Sequence, residues 1–299
     1  MSLSAQSLLA GVSRLVSLHT RLWIRQRPAW FHAHVQRHFS TQVERTGLTS
    51  GGFAAHLFFY GSKKYPILNP VAIERLVDEL GKLDRQHEVR VLFLRSTVVG
   101  ADIDHMKSLI HSDDAVAFIR SVDKLCSTVQ DFRVPVIAVI DGPCMGAGME
   151  LAASCDMRIA VRDETTVFAM PETKIGIPSV VQASLLPGLI GWGRARQLLY
   201  FGETLDVTQA LDVGFLNEVT VRADLPAVLT KWETWVDEAE PRAVMAQKAL
   251  MRTWEREGTD RAGIEASIRV FGEAFNSGIP QQRMADYARK LKAAKKQKR

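Results

Sequence analysis

The sequence predicts an α/β protein with a mainly parallel sheet and a helical C-terminal part. Three observations carry that reading. Short apolar, β-branched runs alternate with stretches of helical spacing. The runs are mostly apolar without strict alternation, as in strands buried on both faces. Beyond about residue 182 the strand signals fade and helical spacing takes over.

The elements follow in order. Residues 52–60, "GFAAHLFFY", read as the first strand. The stretch 69–84 places apolar residues at 73, 76, 77, 80 and 83, the stripe of an amphipathic helix. Residues 89–96 form a second buried strand. Residues 113–132 form a second helix, with Asp113 and Asp114 favourably placed at its positive end. Strands at 134–142 and 157–161 complete a β-α-β-α-β-α-β order. The stretches 193–201, 206–213, 222–238, 241–256, 260–276 and 280–296 lack strong strand character and read as helical.

Composition sets further bounds. Of 299 residues, 46% are hydrophobic and 24% charged, as in soluble globular proteins. The net charge of +5 comes from the first 43 residues, which hold five arginines and no acid. The remaining chain carries 33 basic and 33 acidic residues, so overall basicity does not indicate nucleic acid. The acid-free start, rich in Arg, Ser and Leu with helically spaced Leu8, Val12, Leu15, Leu18 and Leu22, predicts a mitochondrial targeting segment over 1–40. The body is expected as a core over 44–238 and a C-terminal helical region over 239–299. No uninterrupted run of 18 apolar residues exists, which predicts no transmembrane helix. Cys126, Cys144 and Cys155 form no CxxC pair and read as small buried hydrophobes. No cluster has metal-ligand spacing, so no metal is expected.

Three loops carry candidate chemistry: "GADIDHM" (100–106), "GPCMGAGME" (142–150) and "FAMPETKIGIP" (168–178). The first two are glycine-containing turns after strands, which leave backbone N–H groups pointing outward. Two such groups aimed at one point stabilise charge developing on a carbonyl oxygen. Glu150 follows the second turn and Glu172 lies in the third loop. If the strands are neighbours, both carboxylates reach one cleft, where burial and mutual repulsion raise at least one pKa. Each glutamate also has a plain structural reading: Glu150 as a helix N-terminal acid, Glu172 as a loop acid after Pro171. His105 and His111 read as exposed helix residues. Asp102 is expected to organise its own turn, Asp156 a helix-to-strand turn, and Trp192 and Arg194 a packing turn and a surface helix.

The ordered series "GADIDHM … VPVIAVIDGPCMGAGMELAASCDMRIA … FAMPETKIGI", with its spacing, resembles the enoyl-CoA hydratase/isomerase (crotonase) superfamily over roughly residues 44–280. The resemblance implies a spiral of ββα repeats and a helical C-terminal trimerisation region. It further implies an oxyanion hole from the N–H groups of Ala101 and Ala147, with Glu150 and Glu172 holding and activating water. Gly100, Asp102, Ile103, Gly146, Gly148, Pro171, Val180 and Val181 would line the substrate site. The activity implied is hydration of a trans-2-enoyl-CoA, with isomerisation or thioester hydrolysis as alternatives. Coenzyme A enters as part of the substrate, with no separate cofactor, and a homotrimer or hexamer is implied.

The chain departs from the family pattern in several places. "STVV" (96–99) stands in place of a longer loop before Gly100, and Asp104 replaces a common lysine. Ala147 occupies a position commonly glycine. Val180 and Val181, in "PSVVQAS", stand where small residues are usual and would narrow the acyl pocket. Some relatives in this superfamily bind RNA, and Lys290, Lys292, Lys295, Lys296, Lys298 and Arg299 form a basic tail. That tail lacks interleaved aromatics for base stacking, so no nucleic-acid partner is expected.

Overall fold

The computed structural model describes residues 39–61, 65–95, 100–257, 261–280, 282–284 and 289. The expected targeting segment therefore lies almost wholly outside the described residues, as do the "STVV" segment and the basic tail. Ser40–Arg299 forms one compact unit.

The first strand, β1 (Ser40–Gly47), precedes the one expected from sequence and pairs antiparallel with β2 (Phe53–Tyr60), Val43 opposite Leu57. It is a polar edge strand, largely exposed, so it carries no apolar signal. Next come α1 (Pro70–Asp84), β3 (Val89–Leu94), a short α2 (Ile103–Lys107), α3 (Ser112–Gln130) and β4 (Val136–Ile140). A two-residue β5 (Cys144–Met145) leads into α4 (Ala147–Ser154), followed by β6 (Met157–Val161) and β7 (Val167–Ala169). The remaining chain is mostly helical: α5 (Leu186–Ile190), α6 (Trp192–Phe201), α7 (Val207–Asp212), α8 (Leu225–Glu238), α9 (Pro241–Glu257) and α10 (Arg261–Ala274). Two short strands interrupt it, β8 (Thr204–Asp206) and β9 (Glu218–Thr220).

One sheet runs β1-β2-β3-β4-β6-β9, parallel from β2 onward; a second runs β5-β7-β8. Successive strand residues face opposite sides. On one side Ala54, Val91, Phe93, Ile137, Val139, Ile159 and Val161 pack under Leu225, Leu229 and Trp232 of α8. The alternate residues Ala55, Leu57, Leu92 and Leu94 are also buried, which explains why these strands read as continuous apolar runs. Helix α1 starts at Asn69, whose side chain accepts the Ala72 N–H at 2.9 Å with Pro70 at the first helical position. Its buried stripe Ala72, Ile73, Leu76, Leu80 and Leu83 belongs to a helix packed against α3. The acids Asp113 and Asp114 do lie in the first turn of α3.

Buried charge anchors the helix that carries Glu150. Asp156, just past α4, accepts the Val136 N–H and the Lys248 ammonium, both at 2.7 Å. Lys248 comes from α9 and also donates to the Val134 carbonyl at 2.9 Å. Arg158 donates to the Ala152 and Cys155 carbonyls at the end of α4 and lies over the Phe215 ring. Arg158 thus satisfies carbonyls that the helix leaves open, and Lys248 bonds the Val134 carbonyl before β4. Asp156 thus organises the expected turn and ties the C-terminal helices to it.

Two sequence expectations need correction. His105 is half-buried, with its ring centroid 5.0 Å from that of Phe118 on α3 in an edge-to-face arrangement; of the two, only His111 is exposed. Trp192 is 65% exposed with Arg196 over its ring, so it does not serve as a packing residue within this chain. Arg194 is held by Glu203 at 3.0 Å. All three cysteines are free and buried; burial pushes Cys155 up to about 12 and raises the other two, leaving inert thiols. Among the described residues, no helix is long and apolar enough to cross a membrane.

Candidate active site

The second and third loops meet through a strand pair invisible to hydrophobic patterning. Strand β5 runs parallel to β7, with Cys144 opposite Phe168 and Met145 opposite Ala169. The Gly146 N–H extends the ladder to the Ala169 carbonyl at 2.9 Å. Beyond the ladder, one chain turns into α4 and the other reaches Glu172. Gly146 adopts φ +50°, a conformation that glycine takes at no steric penalty. A side chain is excluded there for a second reason: a Cβ would stand 2.4 Å from Oε1 of Glu172. Ala147, at a position commonly glycine, is not among the described residues with positive φ, so its side chain is tolerated there. Its N–H is one of the first-turn amides that a helix leaves without an intrahelical partner.

The first loop lies against the second. Leu68 and Ala101 form an isolated parallel bridge: Leu68 N–H donates to the Gly100 carbonyl at 2.8 Å, and Asp102 N–H donates to the Leu68 carbonyl at 3.0 Å. Both bonds use the neighbours of Ala101, so the Ala101 N–H points away from Leu68. Gly100 packs on the Met145 carbonyl, whose oxygen a Cβ would approach to 2.7 Å. The turn bearing Ala101 therefore touches the turn bearing Ala147.

The two glutamates differ in environment. Glu150, one turn into α4, is 5% exposed, whereas Glu172 is half-buried in a 3₁₀ turn over Glu172–Ile175. Burial pushes the Glu150 carboxyl up to about 8, with the nearby charge of Glu172 adding to the effect. Backbone N–H groups of Ala183 and Val180 pull the other way, and Asp123 contributes a small further rise. Burial thus favours the protonated form of Glu150 beside a second carboxyl, an arrangement able to give and take protons within one turnover.

The other expected residues fall around this centre. Asp102 caps α2, accepting the Asp104 and His105 N–H groups at 3.0 and 3.3 Å, as its turn-forming role predicted. Ile103 is 51% exposed beside it. Gly148 is buried in α4, where every residue is buried. The Pro171 carbonyl accepts the Lys174 N–H at 2.9 Å, closing the 3₁₀ turn. Val180 is exposed, and Val181 is the single described non-glycine residue with positive φ, +49°. That conformation is unfavourable for a β-branched side chain. Sequence reasoning missed Ser179, whose hydroxyl donates to Oε2 of Glu172 at 2.9 Å. Its only signal was a hydroxyl residue within a turn otherwise read for size.

Residues 64–298 match the enoyl-CoA hydratase/isomerase family. The chain belongs to that family. Its relatives include Crotonyl-CoA hydratase of Syntrophomonas wolfei, 30% identical over 80% of this chain and 93% of that protein. Enoyl-CoA isomerase/hydratase fer4 of Mycosarcoma maydis is 35% identical over 135 residues, 44% of this chain and about half of that protein, 48%. Probable enoyl-CoA hydratase 2, mitochondrial, of Arabidopsis thaliana is 26% identical over 75% of each chain. Among solved structures, Pseudomonas aeruginosa DspI superposes with a TM-score of 0.72 at 22% identity, covering 82% of this chain and 99% of that one. At that identity the likeness concerns the fold, a crotonase fold with a C-terminal helical region. Family members act on CoA thioesters.

Proposed function

We propose that this chain is an enoyl-CoA hydratase that adds water across the 2,3 double bond of a trans-2-enoyl-CoA. The carrying observation is the contact among three turns: Glu172 Oε1 over Gly146, and Gly100 on the Met145 carbonyl. That contact supports a reading in which the Ala101 and Ala147 amides and both carboxyl groups serve one substrate. The N–H groups of Ala101 and Ala147 grip the thioester oxygen and stabilise the enolate-like charge that develops there. Water sits between the glutamates. Its oxygen bonds to Cβ while Glu150 accepts one of its protons, and Glu172 delivers a proton to Cα. The product is a 3-hydroxyacyl-CoA, with the proton now on Glu150 and Glu172 ionised.

The elevated pKa of Glu150 gives this scheme a direction. Burial favours the protonated form of Glu150, the form that serves dehydration of a 3-hydroxyacyl-CoA. Each hydration as written starts with the proton on Glu172 and ends with it on Glu150, so the proton returns to Glu172 between turnovers. Ile103, Val180 and Val181 are the apolar groups near the turns, and the two valines narrow the acyl end. Gly100, Asp102, Gly146, Gly148 and Pro171 support the approach of the thioester by shaping the turns.

The test is hydration of purified protein with enoyl-CoA thioesters from C4 upward, followed by loss of the conjugated absorbance. No 3-hydroxyacyl-CoA at any chain length rules the reading out; conversion of a 3-enoyl-CoA to the 2-enoyl isomer would assign isomerisation instead. The same proposal includes a homotrimer or hexamer. Its support is exposed Trp192, Tyr200 and Phe201 on α6 and Ile264, Ile268 and Phe271 on α10. A monomeric mass by light scattering contradicts it. Delivery to the mitochondrial matrix by residues 1–40 is supported by their acid-free, arginine-rich composition; a cytosolic tagged full chain contradicts it.

A further inference from the structure

The two carboxyl oxygens of Glu172 have unlike surroundings. Oε2 accepts the Ser179 hydroxyl at 2.9 Å. Oε1 lies over Cα of Gly146, beside the turn that carries Ala147. We propose that Ser179 is a positioning residue that holds Glu172 with Oε1, and not Oε2, bearing the proton exchanged with Cα. The inference rests on Glu172 acting at Cα, as proposed above.

The chemistry follows from the hydrogen bond to Oε2. Toward the carboxylate form of Glu172 the Ser179 hydroxyl can only donate, and while it donates Oε2 is the acceptor and Oε1 is the oxygen left to take up a proton. With the Ser179 hydroxyl held as donor, the proton of the acid form resides on Oε1, the oxygen beside Gly146. During transfer the Oε1–H bond breaks, its electron pair stays on Oε1, and a Cα–H bond forms. Negative charge then returns to the carboxyl group, where the Ser179 hydrogen bond becomes charge-assisted and stronger. Without the hydroxyl the carboxyl group is free to rotate, and the proton is shared between two oxygens of which one faces the substrate.

The backbone around Ser179 is independently held. Ile177 N–H donates to the Glu172 carbonyl at 3.2 Å on one side, and Ala183 N–H donates to the Val180 carbonyl at 3.0 Å on the other. Between them Val181 keeps its φ of +49°, a strained state that persists only where surrounding contacts determine it. Removing the Ser179 hydroxyl thus deletes the donor while the turn stays in place.

The test compares wild type, Ser179→Ala and Ser179→Thr by two readouts. One is crotonyl-CoA hydration; the other is exchange of the α-proton of butyryl-CoA with D₂O, which reads proton transfer at Cα without hydration. Ser179→Ala is expected to slow exchange and kcat by about tenfold with KM nearly unchanged, a fraction of what a missing general acid costs. Ser179→Thr, which keeps the donor, restores most of both rates. Ser179→Ala rates within about twofold of wild type overturn the inference. So does equal impairment of the threonine variant, which would assign the effect to the turn backbone. A wild type that exchanges the α-proton but hydrates no enoyl-CoA defeats the hydratase reading while leaving the exchange test of Ser179 intact. A wild type that does neither defeats both.

Discussion

Replacing Glu150 with glutamine keeps the side-chain shape and removes its proton equilibrium, so it separates the stability effect of this carboxyl from its chemical effect. Burial and the Glu172 charge lift Glu150 from an ordinary 4.5 to about 8. In the unfolded chain the group ionises near 4.5. Below that pH both states hold the proton, and wild type and variant differ little. Between 4.5 and about 8 the unfolded state sheds a proton that the folded state keeps, so the folded wild type loses stability as pH rises. At roughly 1.4 kcal/mol per pH unit, the loss is about 3 kcal/mol at pH 7 and on the order of 5 above pH 8. Glutamine suffers no such loss. Urea denaturation at pH 5, 7 and 9, at one protein concentration, should show Glu150→Gln gaining on wild type as pH rises. Hydration turnover should fall by on the order of a hundredfold in the same variant. A stability gap that stays constant from pH 5 to 9 would refute the electrostatic argument, and near-normal turnover would refute the role of Glu150.

Three further outcomes follow from named contacts. Gly146→Ala forces a Cβ to within 2.4 Å of Glu172 Oε1 at a φ of +50°, so turnover should drop at least tenfold while circular dichroism stays near wild type; unchanged turnover contradicts the geometry. Lys248→Met leaves Asp156 and the Val134 carbonyl without their cation, and thermal or urea unfolding should show a loss of about 3 kcal/mol; a loss below about 1 kcal/mol would mean that water replaces the ammonium. Val181→Gly relieves an unfavourable backbone at +49° and should leave stability unchanged or raise it by about 1 kcal/mol; a clear loss would show that the valine side chain packs more than it strains.

Much of the fold was legible because the main parallel strands are buried on both faces. Val89–Leu94, Val136–Ile140 and Met157–Val161 are buried almost without exception, so each appears as an apolar run within the expected range. The helices Pro70–Asp84 and Ser112–Gln130 were equally readable, since each buries a regular stripe. The missed strands are of two kinds. β1 is an exposed polar edge, and β5, β7, β8 and β9 are two or three residues long, too short for a period to show.

That difference also divides what each level decides about the site. Residue types alone determined the kit: glycines where backbones approach closely, a carboxyl inside a run of small residues, and a second carboxyl after a short strand. Whether the two glutamates meet depended on β5 pairing with β7, and not on the longer strands to which periodicity pointed. Likewise the raised carboxyl pKa of Glu150 is a product of burial, and the grip of Ser179 on Glu172 of the fold of the turn between them. Sequence specifies which groups can titrate or donate. Only the packed structure excludes water and sets their spacing, and those two conditions decide what each group does.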